Sequence, residues 1–311
     1  MMKTHVLQVN GHPSGRRSIK MSEAQVAEIV GNIATFGLML IMFSMGIMLR
    51  VRDFINVVKK PAASLLGLVG QILLLPIMAF GICYLMELPA VLAIGLMVLS
   101  ACPGGPTSNA ISMIAGGDIA LSITLTALSG LFAFITAPLV MSFSLNYFQI
   151  PGAQLELPFI QTSARIFFTT VVPVCLGMYL GGRFPNLEGY RQTIFRSGFG
   201  LVITTSLLLL IARSELLGSV QAMFAALLLN VSMMGLAYLI GSLLLKQEKQ
   251  ARTITVEVGL QNVSLAIVIV LTTLEVFEML APTLFYLPIA YVTGFGFAYL
   301  MRKRDRRAVE A

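Results

Sequence analysis

The chain has 311 residues, with 21 Lys plus Arg against 14 Asp plus Glu and a formal net charge of +7. Charged residues make up 11% of it, where a soluble domain carries roughly 25%, and mean hydropathy is +0.88. So little polar surface cannot cover a soluble fold, which makes the bilayer the solvent and excludes a soluble enzyme, a disordered chain and a disulfide scaffold.

In chain order, residues 1–23 form a polar tail that holds both histidines, His5 and His12, and the basic Lys3, Arg16, Arg17 and Lys20. The Arg16-Arg17 pair ahead of an apolar run has the look of an export signal. The run is too long for a signal peptide and lacks an A-x-A site, so the tail reads as a polar leader. Nine apolar stretches follow, at 24–49, 62–86, 89–115, 119–145, 159–181, 194–212, 217–245, 251–274 and 283–301. Each approaches the roughly 20 residues that cross a hydrocarbon core about 30 Å thick. They predict an all-α polytopic membrane protein, with a transmembrane domain over 24–301 and a basic tail over 302–311.

One set of alternate loops carries fifteen Lys and Arg, and the other set carries Arg213 alone. That bias predicts a cytoplasmic C-terminus and an external N-terminus in the inner (plasma) membrane, the basic leader notwithstanding. Between Ala62 and Gly182 only Glu87, Asp118, Glu156 and Arg165 are charged, so no basic face exists there for nucleic acid. Cys83, Cys102 and Cys175 are too scattered for a disulfide framework or a thiolate metal site, and read as small buried hydrophobes. The 18 methionines lack a repeated spacing and read as packing residues.

The order of spans runs plain, plain, broken, plain in each half. It predicts an inverted repeat, 24–145 and 159–301, on a ten-helix plan whose first helix is absent. The break in the first half is Cys102-Pro103-Gly104-Gly105-Pro106-Thr107-Ser108-Asn109. Each proline removes a backbone donor, so the helix is expected to unwind there, and irregular backbone survives at membrane depth only when buried or lining a cavity. In the second half, Glu257 stands in an uncharged span followed by Gly259, Gln261, Asn262 and Ser264. An ionisable group there costs about 2.5–3.5 kcal/mol on insertion scales and marks function, unless it pairs with Arg252 near the membrane edge. Gln261 at i+4 is expected to share its helix face.

Ser122 and Thr126, also i and i+4, read either as oxygen donors or as hydroxyls bonded back to their own helix. Gln71 alone reads as a helix–helix contact, and Arg165 as a snorkelling side chain or an anion contact. Glu275 and Glu278 fall in an external loop. Carboxylate, amide and hydroxyl oxygens at corresponding breaks point to ion-coupled transport, and oxygen ligation without thiol or imidazole suits a hard cation.

From about Ser22 to Met301 the chain resembles the bile acid:sodium symporter family. The likeness rests on Phe43-Ser44-Met45-Gly46 ahead of Arg50 and Asp53, on Cys102-Pro103-Gly104-Gly105 leading to Ser108-Asn109, on Ala120-Leu121-Ser122, and on Glu257 to Asn262. It implies two discontinuous helices crossing in a core domain beside a panel domain, with two sodium ions bound behind the crossing. The first sodium is expected on Ser108, Asn109, Ser122, Thr126 and Glu257. The second is expected on Gln71, Glu257 and Gln261 with the carbonyls of Val258 and Leu260. Nine-span members with an external N-terminus exist. Some bacterial members carry a His-Asn pair on the last helix where Ala290 and Tyr291 stand here, which leaves Asn262 and Thr107 as expected substrate contacts.

The resulting expectation is a sodium-coupled secondary active symporter importing an organic anion, either a bile-acid-like steroid or a smaller carboxylate, by alternating access. Its partners are then that anion and the lipid bilayer, with no nucleic acid and no implied oligomeric state. The rivals are a proton-coupled carrier working through Glu257 and an anion or metalloid exporter of related fold working through Cys102. An intramembrane enzyme is not expected, because both histidines lie in the tail and no nucleophile–base or metal set can form.

Overall fold

The computed structural model describes residues 23–51, 53–55, 61–151, 157–213, 216 and 218–310. The leader over 1–22, loop residues 56–60, which include Lys59 and Lys60, and residues 152–156, which include Glu156, lie outside the described residues. The protein is helical, with α1 Glu23–Met48, α2 Pro61–Leu85, α3 Ala90–Ala101, α4 Pro106–Ile114, α5 Ile119–Tyr147 and α6 Phe159–Arg183. There follow α7 Glu188–Ala212, α8 Val220–Leu244, α9 Glu248–Gly259, α10 Val263–Leu274 and α11 Ala281–Glu310.

Seven helices among the described residues, namely α1, α2, α5, α6, α7, α8 and α11, are long and apolar enough to cross a membrane, as befits a multi-pass membrane protein. The expected stretches 89–115 and 251–274 each divide in two, giving α3 with α4 and α9 with α10.

The two breaks have different causes. In the first, Cys102 (ψ 143°) and Gly105 (φ −102°, ψ 160°) are extended. The helix restarts at Pro106, whose missing N–H costs nothing at a first helical position. In the second, no proline intervenes. Here α9 ends at Gly259, Leu260 turns extended, and Asn262 caps α10 by accepting the Leu265 N–H on Oδ1 at 3.1 Å. The expectation that Gln261 shares a helix face with Glu257 therefore fails, because Gln261 stands beyond the helix end.

Two further prolines shift a ladder without ending it. Pro76 and Pro173 cannot donate to the carbonyl four residues back, and each follows a π-turn, Gly70–Leu74 in α2 and Phe167–Val171 in α6. The first of these wide turns carries Gln71.

Packing follows small residues. On α1, Gly46 lies so close to α6 that an added Cβ would stand 2.2 Å from the Val174 carbonyl oxygen, and Gly177 meets the Phe43 carbonyl oxygen at the same distance. Helix α1 runs along α6 and α7, while α9 is enclosed by α2, α4, α5 and α8. Every residue from Gln250 to Gly259 is buried, so each polar group on α9 needs a protein partner.

At one end of the bundle those partners form a charged clamp. Arg252, only 4% exposed, donates through Nη1 to the Ala115 carbonyl at 3.1 Å and to Asp305 Oδ2 at 2.7 Å, and through Nη2 to Asp305 Oδ1 at 2.6 Å. Arg302 caps α4 at the Ile114 carbonyl at 2.7 Å, and Arg304 pairs with Glu248 and donates to the Tyr238 hydroxyl at 2.7 Å. The basic tail expected over 302–311 is thus helical to Glu310 and strapped across the ends of α4 and α9. Arg252 is the partner of Asp305, not of Glu257.

Asp305 lies past the apolar part of α11, and the Arg252 guanidinium holds its carboxyl below the usual carboxylate range. A pKa lowered on folding contributes stability above the unfolded value, about 3.9, and that contribution is lost as pH falls through the lowered one. Asp305→Asn is accordingly expected to lower Tm at pH 7 by about 2–4 °C, the scale of a half-exposed ion pair. It is also expected to shrink the loss of Tm on acidification below pH 4, in thermal melts of the detergent-purified protein. An acid limb identical to wild type would remove this role.

Candidate functional site

The two breaks meet each other. The Asn262 N–H donates to the Pro103 carbonyl at 2.8 Å, the Gly105 N–H donates to the Leu260 carbonyl at 3.3 Å, and Gly104 and Gln261 form an isolated antiparallel bridge. Main chain that the helices leave unpaired is in this way satisfied by the other break, which is what makes extended backbone tolerable inside the bundle. Four helix ends, those of α3, α4, α9 and α10, converge on this pairing.

Beside it lies Glu257, 0% exposed. Its Oε1 accepts from Ser108 Oγ at 2.8 Å and from Ser122 Oγ, and its Oε2 accepts from Thr126 Oγ1 at 2.8 Å. Asn109 Oδ1 faces the same hydroxyls, at 2.7 Å from Ser122 Oγ and 3.2 Å from Thr126 Oγ1. Ser108 Oγ also reaches the Gly105 carbonyl at 2.6 Å, and Thr126 Oγ1 reaches the Ser122 carbonyl at 3.0 Å. Thr126 thus bonds back to its own helix, as one of its two sequence readings has it, and also faces the carboxylate.

A hydroxyl carries one proton. Seven oxygen–oxygen contacts here share the protons of three hydroxyls. The remaining contacts set lone pair against lone pair around a buried carboxylate that forms no ion pair among the described residues. Such a cluster is short of positive charge, and the group it suits is a small hard cation, or one additional proton.

A second set of oxygens lies across Gly104. Gln71 Nε2 donates to the Glu257 carbonyl at 2.8 Å and Gln261 Nε2 donates to the Val258 carbonyl at 2.6 Å. The amide oxygens Gln71 Oε1 and Gln261 Oε1 are buried without a hydrogen-bond partner, as are Asn109 Nδ2 and Asn262 Nδ2. A Cβ on Gly104 would lie 2.8 Å from Glu257 Oε2 and 2.9 Å from Gln71 Nε2, so the carboxylate borders both sets. The Leu260 carbonyl, expected to face an ion, already accepts the Gly105 N–H, and any ion would use its second lone pair.

Three residues with no place in the sequence reading hold α9 in position. Asn230 Nδ2 and the Tyr286 hydroxyl both donate to the Gly259 carbonyl, at 2.7 and 2.8 Å, and Thr293 Oγ1 donates to Asn230 Oδ1 at 2.6 Å. They satisfy the last carbonyl of α9 where the helix stops. An amide buried in the middle of apolar α8 was the available signal.

Thr107 and Asn262 line one small cavity of 40 Å³ with Phe195, Phe199, Ala290 and Tyr291. Asn262 also borders a 230 Å³ cavity on the other flank of the crossing, walled by Met42, Met45, Val174 and Met178 beneath Gly104 and Thr126. That space is apolar apart from its edge at the crossing, a form suited to an apolar body with a polar head. Cys102 faces neither, and its Sγ is directed to the Val98 carbonyl at 3.3 Å.

A model described as the Sodium Bile acid symporter family matches residues 35–250, a stretch that takes in the first break, Gln71, Ser122 and Thr126 and ends before Glu257. The uncharacterized sodium-dependent transporter YocS of Bacillus subtilis is 30% identical over 238 residues, covering 75% of this chain and 72% of that protein. The human sodium/bile acid cotransporter 4 is 29% identical over 72% of this chain and 52% of its own length. The rat sodium-dependent organic anion transporter is 28% identical over 73% and 61%. The chain thus spans little more than half the length of these two mammalian relatives.

Proposed function

The chain belongs to the sodium bile acid symporter family, a family of sodium-dependent transporters, and from that premise we propose that it imports an organic anion by sodium-coupled symport. The observation that supports this reading most is the cage around Glu257, where seven oxygen contacts share the protons of three hydroxyls beside a buried carboxylate. In this reading one sodium ion takes Ser108, Asn109, Ser122, Thr126 and Glu257. A second takes Gln71, Glu257 and Gln261 with the Val258 and Leu260 carbonyls.

Sodium then ties α4, α5 and α9 together at the crossing and fixes Thr107 and Asn262 where the anion's head group arrives. Coupling follows if the ion favours the conformation that also binds the anion. The helices around the crossing act as the core and α1, α6 and α7 as the panel, with an inverted repeat relating 24–145 to 159–301, in nine spans with the basic clamp on the cytoplasmic side. The substrate class is a bile-acid-like or smaller carboxylate, its apolar body lying in the 230 Å³ cavity.

A proton is the second reading, because protonated Glu257 also supplies the missing hydrogen. The test is uptake of labelled cholate into proteoliposomes. Uptake is expected to follow an inward sodium gradient and to be absent with potassium. Uptake that follows an inward pH gradient and ignores sodium goes to the proton instead.

A further inference from the structure

At the end of the bundle opposite the clamp, the first turns of α1 and α6 and the end of α10 enclose a cavity of 710 Å³. Its polar lining is Glu28, Asn32, Thr35, Arg165, Thr272 and Glu275, and its volume is that of a small-molecule site. Arg165 is the one cation among the lining residues, and its guanidinium makes no hydrogen bond or ion pair with any described residue. It stands six residues inside α6, about 9 Å along the helix axis from Phe159, with its side chain exposed to the cavity mouth and open to a ligand.

On α1, Gly31 and Thr35 line this cavity, and Met42 and Met45, further along the helix, line the 230 Å³ cavity at the crossing. On α6, Arg165 lines the first cavity and Val171 and Val174 line the second. The two spaces lie one after the other along the same pair of helices.

We propose that this vestibule is an external capture site for an organic monocarboxylate, whose carboxylate docks on Arg165 before the anion reaches the crossing. The proposal rests on the reading of the chain as an anion carrier. The two acids refine the ligand's chemistry. Glu28 and Glu275 border the same space, so a dianion meets repulsion, whereas a single carboxylate with hydroxyl or amide groups satisfies Arg165 and offers donors to both acids. Glu275 is held in the left-handed region, φ +55°, by its N–H to the Val270 carbonyl at 2.8 Å.

The chain has no tryptophan, so Phe277→Trp in the cavity wall supplies a single fluorescent reporter. The detergent-purified full chain carrying it is titrated in sodium-free choline chloride with cholate, a hydroxylated monocarboxylate, and with succinate, a dianion. The expected result is a saturable change with cholate and a weaker one with succinate. Arg165→Gln should raise the cholate Kd about tenfold or more, the scale of a charge-assisted contact, and Arg165→Lys should recover part of it.

An unchanged Kd in Arg165→Gln, no saturable response to either acid, or a response that appears only once sodium is added overturns the capture site. Sodium-driven uptake separates the two readings. If uptake persists while vestibule binding is unaffected by Arg165→Gln, only the capture site falls. If vestibule binding is found but uptake ignores sodium, only the symport reading falls.

Discussion

Glu257→Gln is expected to reduce sodium-gradient-driven uptake to the level seen without a gradient, in a protein that is still folded and more stable than wild type when sodium is absent. The direction follows from the proton count. Glutamine keeps the length of the side chain and brings two N–H donors into a cluster where seven oxygen contacts share three protons. It thereby relieves the lone-pair contacts that sodium is proposed to relieve.

Wild type should gain Tm as sodium is added, because an ion that binds only the folded state at a hundred times its Kd contributes about 2.7 kcal/mol. That corresponds to a rise on the order of 5 °C. Glu257→Gln should start higher and not respond. A sodium-dependent rise of equal size in the variant would mean that the ion sits elsewhere. A fall in Tm without sodium would mean that the carboxylate is satisfied as it stands.

The first break was legible because its cause is covalent: Pro103 and Pro106 have no N–H to give, whatever surrounds them. The second was legible only in part. Glu257 stood out as a charge in an apolar span, but the end of α9 at Gly259 depends on Asn230 and Tyr286, which lie 29 and 27 residues away in sequence. Gln261 was therefore placed on a helix that had already stopped.

The clamp shows the same limit. Arg252 and Asp305 are separated by 53 residues and each reads locally as a loop charge. Only the packing of α11 against α4 and α9 makes them one unit. Prolines at 76 and 173 announce a disturbed ladder, yet whether it kinks or widens into a π-turn is decided by neighbouring helices. What sequence supplies here is chemistry that is expensive in lipid; what it withholds is the partner that makes the expense tolerable.

Gly104→Ala tests that partnership from the other side, since it changes no ligand. The added methyl would lie 2.8 Å from Glu257 Oε2 and 2.9 Å from Gln71 Nε2, where ordinary contact begins near 3.4 Å, so one of the two side chains must move. Overpacking of this kind costs about 1–3 kcal/mol. Because it falls on Glu257 Oε2, proposed to hold sodium, and on the amide of Gln71, whose oxygen is proposed to do so, the sodium concentration for half-maximal uptake should rise about tenfold to hundredfold.

Gly105→Ala, one residue on, is the control. Its Cβ meets nothing closer than 3.6 Å and its φ of −102° suits alanine, so sodium dependence should stay within about twofold of wild type. Equal behaviour of the two variants would detach Gly104 from the ion. A large effect at Gly104 with none at Gly105 would place the ion within a methyl group's reach of the point where the two broken helices meet.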